Sequence, residues 1–318
     1  MSPRSAATLH VTNGDAVLYL FKKAGILGTH LPWRDILHEG PLDATLALAE
    51  HSRMRGAYLA SRGLGTPIKL LHDFSVRDST LARAAEFEEV ILWFEHDLYD
   101  QLQVLQILNE LANLELEPGR VSIVQSDSYL SSMTADEIVA LQPKRRTVTE
   151  TLFAQARALW NTVSSSDPLL LAAASDRDTI GFPFMRTALR RLCQEYPWSN
   201  DGLSRTQRQA LQAVAQGPGR NEEVFGRAQS REEAVFLGDR TFYVVLDDLR
   251  RDAAPLIEGE EGALVPTALG RRILAGDGDW LEHASLERYL GGIRFAGVNA
   301  PRWNDDERRI LVDTPTPT

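Results

Sequence analysis

The stretch of residues 90–101, VILWFEHDLYDQ, limits what this chain can fold into more than any other. Five apolar residues, Val90, Ile91, Leu92, Trp93 and Phe94, stop abruptly at Glu95, His96 and Asp97. Leu98, Leu102, Leu105 and Leu111 then fall on one helical stripe. An unbroken apolar run passing into a 3.6-residue period predicts a parallel strand, covered on both faces, leading into a helix. Three adjacent ionisable groups at a buried strand end are costly unless paired or used. The carboxyl ends of the strands are also where open α/β sheets bind their ligands.

Similar units precede and follow. Residues 8–11 read as a first strand closed by Thr12, Asn13, Gly14 and Asp15, and residues 16–24 as a helix with Gly25 as its stop. Residues 28–31 read as a second strand, and the loop after it packs Arg34, Asp35, His38 and Glu39 between Pro32 and Pro41. Residues 42–62 are helical in pattern, residues 68–75 and then 76–85 continue with mixed patterning and another helix, and residues 120–124 form a further strand ending in Gln125, Ser126 and Asp127. Strands alternating with helices imply an α/β fold, a mostly parallel, Rossmann-like sheet with flanking helices, over residues 1–145. Its polar strand ends should then converge in one crevice. The candidate catalytic residues are His96, Asp97 and His38, and the candidate substrate-binding residues are Asn13, Asp15, Arg34, Asp35, Asp100 and Gln101. Each also has a purely structural explanation. Gly14 can take a left-handed turn with Asp15 capping the helix, Arg34 and Asp35 can form a surface pair, and Asp97 and Asp100 have capping-box spacing.

The strings LHVTNGDAV, LPWRDILHEGP and LWFEHDLYDQLQ together resemble the hallmark segments of a bacterial family known as domain of unknown function eighteen-thirty-five. The resemblance covers about residues 9–130 and continues weakly in GLSRTQRQAL and RYLGGIRF. Members of that family often carry a hydroxyl residue after the Asn-Gly-Asp turn, where this chain has Ala16. The resemblance implies a shared site and no particular activity.

Standard catalytic signatures, HExxH, GxSxG, CxxC and the glycine-rich phosphate loops, are missing from the sequence. A crevice of carboxylates with His38 and His96 can hold a divalent metal, Mg, Mn or Zn, or can supply an acid and a base without one. Arg34 would orient a carboxylate or phosphate. The function expected is that of a hydrolase or transferase acting on a small polar or phosphorylated molecule, with a small-molecule ligand as the partner.

Residues 146–200 read as a helical connector that closes with a hinge at 197–201, and Cys193 within it reads as core filler. Residues 201–276 carry three helices, a hairpin and a helix, the pattern of a winged-helix-like α+β domain. Its third helix bears Asp247 and Asp248 and its hairpin bears Glu258, Glu260 and Glu261, against Arg250, Arg251, Arg271 and Arg272. With a formal charge of −10 and a pI near 5.3, nucleic acid is a disfavoured partner. The alternative function is a ligand-sensing regulator whose winged helix contacts DNA or a protein. Residues 277–318, with Trp280, Leu286, Tyr289, Leu290, Ile293, Phe295 and Trp303, should dock as a tail that frays only over 314–318. A single cysteine, an N-terminal MSPRSAATLH without an apolar run, and no stretch of about 18 apolar residues predict a cytoplasmic protein with no membrane partner.

Overall fold

The computed structural model describes residues 8–312 except Glu261 and Leu286, so those two residues and the expected frayed end lie outside the described residues, as does most of the N-terminal segment. In chain order, β1 (Thr8–Thr12), α1 (Leu18–Lys23), β2 (Thr29–Pro32), β3 (Gly40–Pro41), α2 (Leu48–Ser61) and α3 (Pro67–Ala82) lead to β4 (Glu89–Phe94). Then come α4 (Leu98–Leu111), β5 (Val121–Gln125), α5 (Ala135–Leu141) and β6 (Arg146–Thr147). Five of these strands form one sheet in the order β2-β1-β4-β5-β6, parallel except where β6 runs against β5.

The central strand is apolar from Val90 to Phe94 because both faces are covered. Leu9, Val11, Val90, Leu92, Phe94, Val121 and Ile123 join the large core cluster that includes α4. Ile91, Trp93 and Val124 face the other way, onto Val17, Phe21 and Ile26 around α1 and Leu130 and Ile138 near α5. A strand alternating between two apolar layers reads as a continuous run, as parallel strands do.

The expected helix over 42–62 begins only at Leu48. Residues 40–41 are instead taken up in β3, and the amide of Leu42 donates to the Gly291 carbonyl far along the chain. The mixed pattern at 68–85 is one helix, α3, interrupted in hydrophobicity by buried Arg77, whose guanidinium lies 4.1 Å above the Trp33 ring. Gly14 does not adopt a positive φ, and Asp15 does not cap α1. The left-handed residue nearby is Arg34, at φ 61, which turns its fork back onto Asp15.

Beyond the sheet, α6 (Glu150–Val163), α7 (Pro168–Ser175) and α8 (Met185–Cys193) follow, and α6 and α8 pack on α4. The helices α9 (Arg205–Ala215), α10 (Asn221–Gln229) and α11 (Asp239–Arg251) come next, then the hairpin of β7 (Ile257–Glu258) and β8 (Val265–Pro266), then α12 (Ala268–Leu274). The tail supplies β9 (Glu287–Gly291), β10 (Ile293–Ala296), β11 (Arg302–Asn304) and β12 (Arg309–Leu311). β9 pairs parallel to β3 and antiparallel to β10, and β11 pairs antiparallel to β12. The hinge expected at 197–201 is pinned instead. Trp303 donates its amide to the Pro197 carbonyl at 2.8 Å, and Trp280 donates to that of Asp201 at 2.8 Å. Cys193 is buried, and burial pushes its thiol up to about 12. Among the described residues, no helix is long and apolar enough to cross a membrane.

Candidate active site

The end of β4 is bent into α4 by its own side chains. The Glu95 amide donates to Asp100 Oδ1 at 2.6 Å, and Asp97 caps the helix by accepting the Asp100 amide at 3.1 Å. Only half of the expected capping box forms, because the Asp100 carboxylate is drawn to the strand end rather than to the cap residue's amide. Its other oxygen accepts from Asn13 Nδ2 at 2.8 Å, tying the end of β1 to the same point. Gln101 Nε2 holds the Glu95 carbonyl at 2.6 Å, and Glu95 Oε1 accepts the Leu130 amide at 2.8 Å. As a result, one oxygen from each of Glu95, Asp97 and Asp100 lies within 4.8 Å of the others, and all three residues are buried.

Burial dominates the electrostatics of this triad. It pushes the Glu95 carboxyl up to about 7, opposed by the Leu130 amide and reinforced by the charge of Asp97. It pushes Asp97 up to about 6 against the hydrogen bonds from the Asp100 and Tyr99 amides. Asp100 is raised well above the usual carboxylate range, by burial first and then by its two acidic neighbours. Three carboxyls this close cannot all stay ionised near neutral pH without a compensating cation or proton.

His38 comes from the loop between β2 and β3, which is held from behind. Arg55 is fully buried. It donates to the Ile36 carbonyl at 2.7 Å, the Glu39 carbonyl at 2.7 Å and Asp35 Oδ1 at 3.1 Å. Trp33 Nε1 donates to Gln106 Oε1 at 2.8 Å. Gly40, at φ 86, brings its Cα so near Tyr58 that any Cβ there would lie 2.4 Å from the ring. The imidazole of His38 stands edge-on to Phe236 with ring centroids 4.9 Å apart. Only 5% of His38 is exposed, and neither ring nitrogen has a hydrogen-bond partner among the described residues. Burial lowers its pKa to about 3, so the ring is neutral.

Asn13, His38 and the triad line one cleft of about 500 Å³, together with Ile36, Tyr99, Tyr129, the segment from Val235 to Gly238 and Thr241 of α11. The Tyr129 hydroxyl donates to the Val235 carbonyl at 2.9 Å, closing one end. Neither Lys nor Arg is among the lining residues. The cleft opens where adjacent β1 and β4 send their connections to opposite sides, the switch point at which open α/β sheets bind ligands.

Asn13, His38, Asp97 and Asp100 from the candidate set thus share the cleft. Gln101 is buried behind it, holding the backbone. Asp15 and Arg34 pair with each other through two bonds of 2.5 and 2.7 Å and lie outside the lining, so the guanidinium fork is already occupied. Asp35 is turned away, buried against Arg55 and 3.8 Å from Arg77. His96 lines a separate pocket of about 200 Å³ with Arg190 and Arg191, its ring against Tyr129 at 5.0 Å. Asp127 is exposed and Gln125 binds Arg146, so the end of β5 does not enter the cleft. Glu95 belongs to the triad although only its neighbours stood in the candidate set; its position as the first polar residue after the apolar run was the available signal. Nothing in the local sequence marked Tyr129, Ser131 or the segment 235–241, because their place depends on how distant parts of the chain meet.

Fold and cleft together define a mixed α/β protein with an acidic, aromatic-walled cleft at the switch point of a mostly parallel sheet. Compared with protein-family models and with curated proteins, the chain matches none.

Proposed function

We propose that the cleft belongs to a divalent-cation-dependent hydrolase or transferase acting on a small polar or phosphorylated molecule. The observation that carries this proposal is the buried triad of Glu95, Asp97 and Asp100, whose oxygens lie within 4.8 Å of one another. Removing three carboxyls from water is unfavourable, and with no Lys or Arg among the lining residues a hard dication would offset that cost. An all-oxygen donor set favours Mg or Mn over Zn, which prefers nitrogen and sulfur ligands. When bound, such a cation polarises a substrate oxygen and stabilises charge developing on it. Neutral His38, whose ring nitrogens have no hydrogen-bond partner among the described residues, can hydrogen-bond the substrate. Asn13 fixes Asp100, and Tyr99 and Phe236 give the cleft aromatic walls. Kinship with the uncharacterised family named above forms part of the same proposal, since its three hallmark strings contain Asn13, His38 and the triad.

Calorimetric titration with MgCl2 and MnCl2 at pH 7.5, followed by phosphate release from a panel of phosphomonoesters, tests the proposal. Cation uptake should weaken at least about tenfold in Asp97→Asn, in which the helix cap is retained because Asn caps as well as Asp. No uptake at millimolar cation, or turnover indifferent to a chelator, would overturn it.

A second function, a ligand-sensing regulator, is supported by one specific contact. Arg62 at the end of α2 binds both Glu39, beside His38, and Asp248 on α11. Occupancy of the cleft would therefore be felt by α11, the third helix of the winged-helix-like unit at residues 201–276. A protein is the better partner for that unit than DNA, because Asp247 engages both Arg250 and Arg251. DNA binding at low ionic strength that weakens steeply with salt would reverse this preference.

A further inference from the structure

We infer that the cleft carries a phosphate-binding subsite facing the carboxylate triad, formed by His38 and the N-terminus of α11, and that its ligand is a small phosphate ester held together with a divalent cation. The inference rests on the cation-dependent function proposed above. Two helices begin at this cleft, and their first turns are treated oppositely. In α4 the amides are met by the helix's own Asp97, and the triad makes that end a place for a cation. The 13-residue α11 starts from Gly238, which has no side chain to cap it. Its one local oxygen is on Asp239, an exposed residue outside the cleft lining that accepts the Arg240 amide at 2.7 Å. Gly238 and Thr241 do line the cleft, so the first turn of α11 presents backbone N–H groups and the positive end of the helix dipole to whatever occupies it.

The independent sign of a ligand is His38. A histidine that is 5% exposed, with both ring nitrogens unpartnered among the described residues and its ring in the cleft wall, lacks what buried polar groups nearly always have. It also does not belong to the group of side chains that close to within 4.8 Å around a cation position, which contains only the three carboxylates. Its buried, unpartnered nitrogens, in a ring set between this cleft and a smaller pocket lined by Glu195, Thr241 and Arg288, are therefore assigned to the ligand rather than to a metal's shell. The two ends of the cleft have complementary requirements, a cation at the carboxylates and an oxyanion at His38 and α11. A phosphoryl group bridging a dication to a helix N-terminus meets both. With no Lys or Arg in the lining, phosphate has nothing to offset the triad's charge unless the cation is present. Binding of the two should therefore be linked. Ile36, Tyr99 and Phe236 leave apolar and aromatic surface for the body of the ester.

The test is calorimetry on the full chain with Mg2+ alone, inorganic phosphate alone, and phosphate added to Mg2+-saturated protein. Phosphate should bind measurably only with Mg2+ present. His38→Ala should weaken it at least about tenfold, the scale of a hydrogen bond to a charged group, and should leave Mg2+ affinity within about twofold. Thr241→Val, which keeps shape and removes a hydroxyl from the first turn of α11, should weaken phosphate by a smaller factor and carries the test if His38→Ala does not fold. Phosphate binding that ignores both substitutions overturns the subsite. So does Mg2+ binding without any phosphate uptake, which leaves the cation proposal standing. Failure of Mg2+ to bind refutes the cation proposal; phosphate bound alone and lost in His38→Ala would then sustain an anion subsite at His38 while overturning its linkage to a cation, and no phosphate binding overturns both.

Discussion

Arg55 and Asp35 are both fully buried, and their ion pair sets the position of the loop that carries His38. Replacing Arg55 with Met keeps a long apolar stem but leaves Asp35 charged in the interior, with Arg77 at 3.8 Å as its remaining counterion. It also strips donors from the carbonyls of Ile36 and Glu39, each now held at 2.7 Å. Breaking a buried pair from one side costs about 3–5 kcal/mol, and each orphaned carbonyl adds about 1 kcal/mol or more. Arg55→Met should therefore lose roughly 5 kcal/mol, a large part of a typical domain's stability. Asp35→Asn should lose less, about 2 kcal/mol, because Arg55 keeps its carbonyl partners. In the double variant the uncompensated carboxylate is gone, so the combined loss should fall short of additivity by about 2 kcal/mol. Urea denaturation of the four proteins at one pH measures that coupling directly. Additivity to within about 0.5 kcal/mol would refute the claim that the pair, rather than either residue's packing, holds the loop.

Gly40→Ala attacks the same loop from its other end. A Cβ there would sit 2.4 Å from the Tyr58 ring at φ 86, so the variant should lose about 2 kcal/mol or more in melting experiments and bind phosphate more weakly; full stability would show that the loop shifts freely. Acid should destabilise the protein through His10 and His51, each lowered to about 4 by burial. Between pH 6.5 and 4 the unfolded chain takes up protons that the folded rings refuse. The stability is therefore present above pH 6.5 and is lost as pH falls toward 4, by about 3 kcal/mol per histidine. His10→Gln, able to keep the bonds to Trp93 and to the Leu27 carbonyl, should show a shallower loss than the wild type, and parallel curves would count against the assignment. His96→Ala should leave cation and phosphate affinities unchanged, because His96 lines a different pocket; a loss of more than about threefold would bring it into the site.

The parts of this fold that were legible in the sequence are those whose causes are local. β4 and α4 follow from an apolar run and a helical stripe that a single window contains. α9 begins where Ser204 caps it, and its capping box lies wholly within the residues at its start. The failures share one cause. β3 is two residues long and exists because β9, some 250 residues later, pairs with it, so residues 40–41 alone could not announce it. The same distant pairing, with Trp303 on Pro197, turned an expected hinge into a fixed joint. Arg77, polar in the middle of α3, left its pattern mixed because its partners Trp33 and Asp35 come from a loop more than forty residues earlier.

The candidate site divides along the same line. Asn13, Asp97 and Asp100 were legible because a residue at the end of a parallel strand needs only the sheet to reach the switch point. Asp35 looked equivalent to them, and its sequence context is as polar, yet its carboxylate is consumed by Arg55 twenty residues later. Arg34 looked like a ligand clamp and closes instead on Asp15. Which strand-end residues remain available is thus decided by subtraction. Each polar group with a protein partner of matching charge is removed from the pool, and those left buried without one define the site. Applied to this cleft, subtraction leaves three carboxyls with no cationic side chain among the lining residues and one imidazole whose nitrogens have no hydrogen-bond partner among the described residues. The triad and His38 line a single space of about 500 Å³, so the proposed ligand, carrying both a cation and an oxyanion, would account for both.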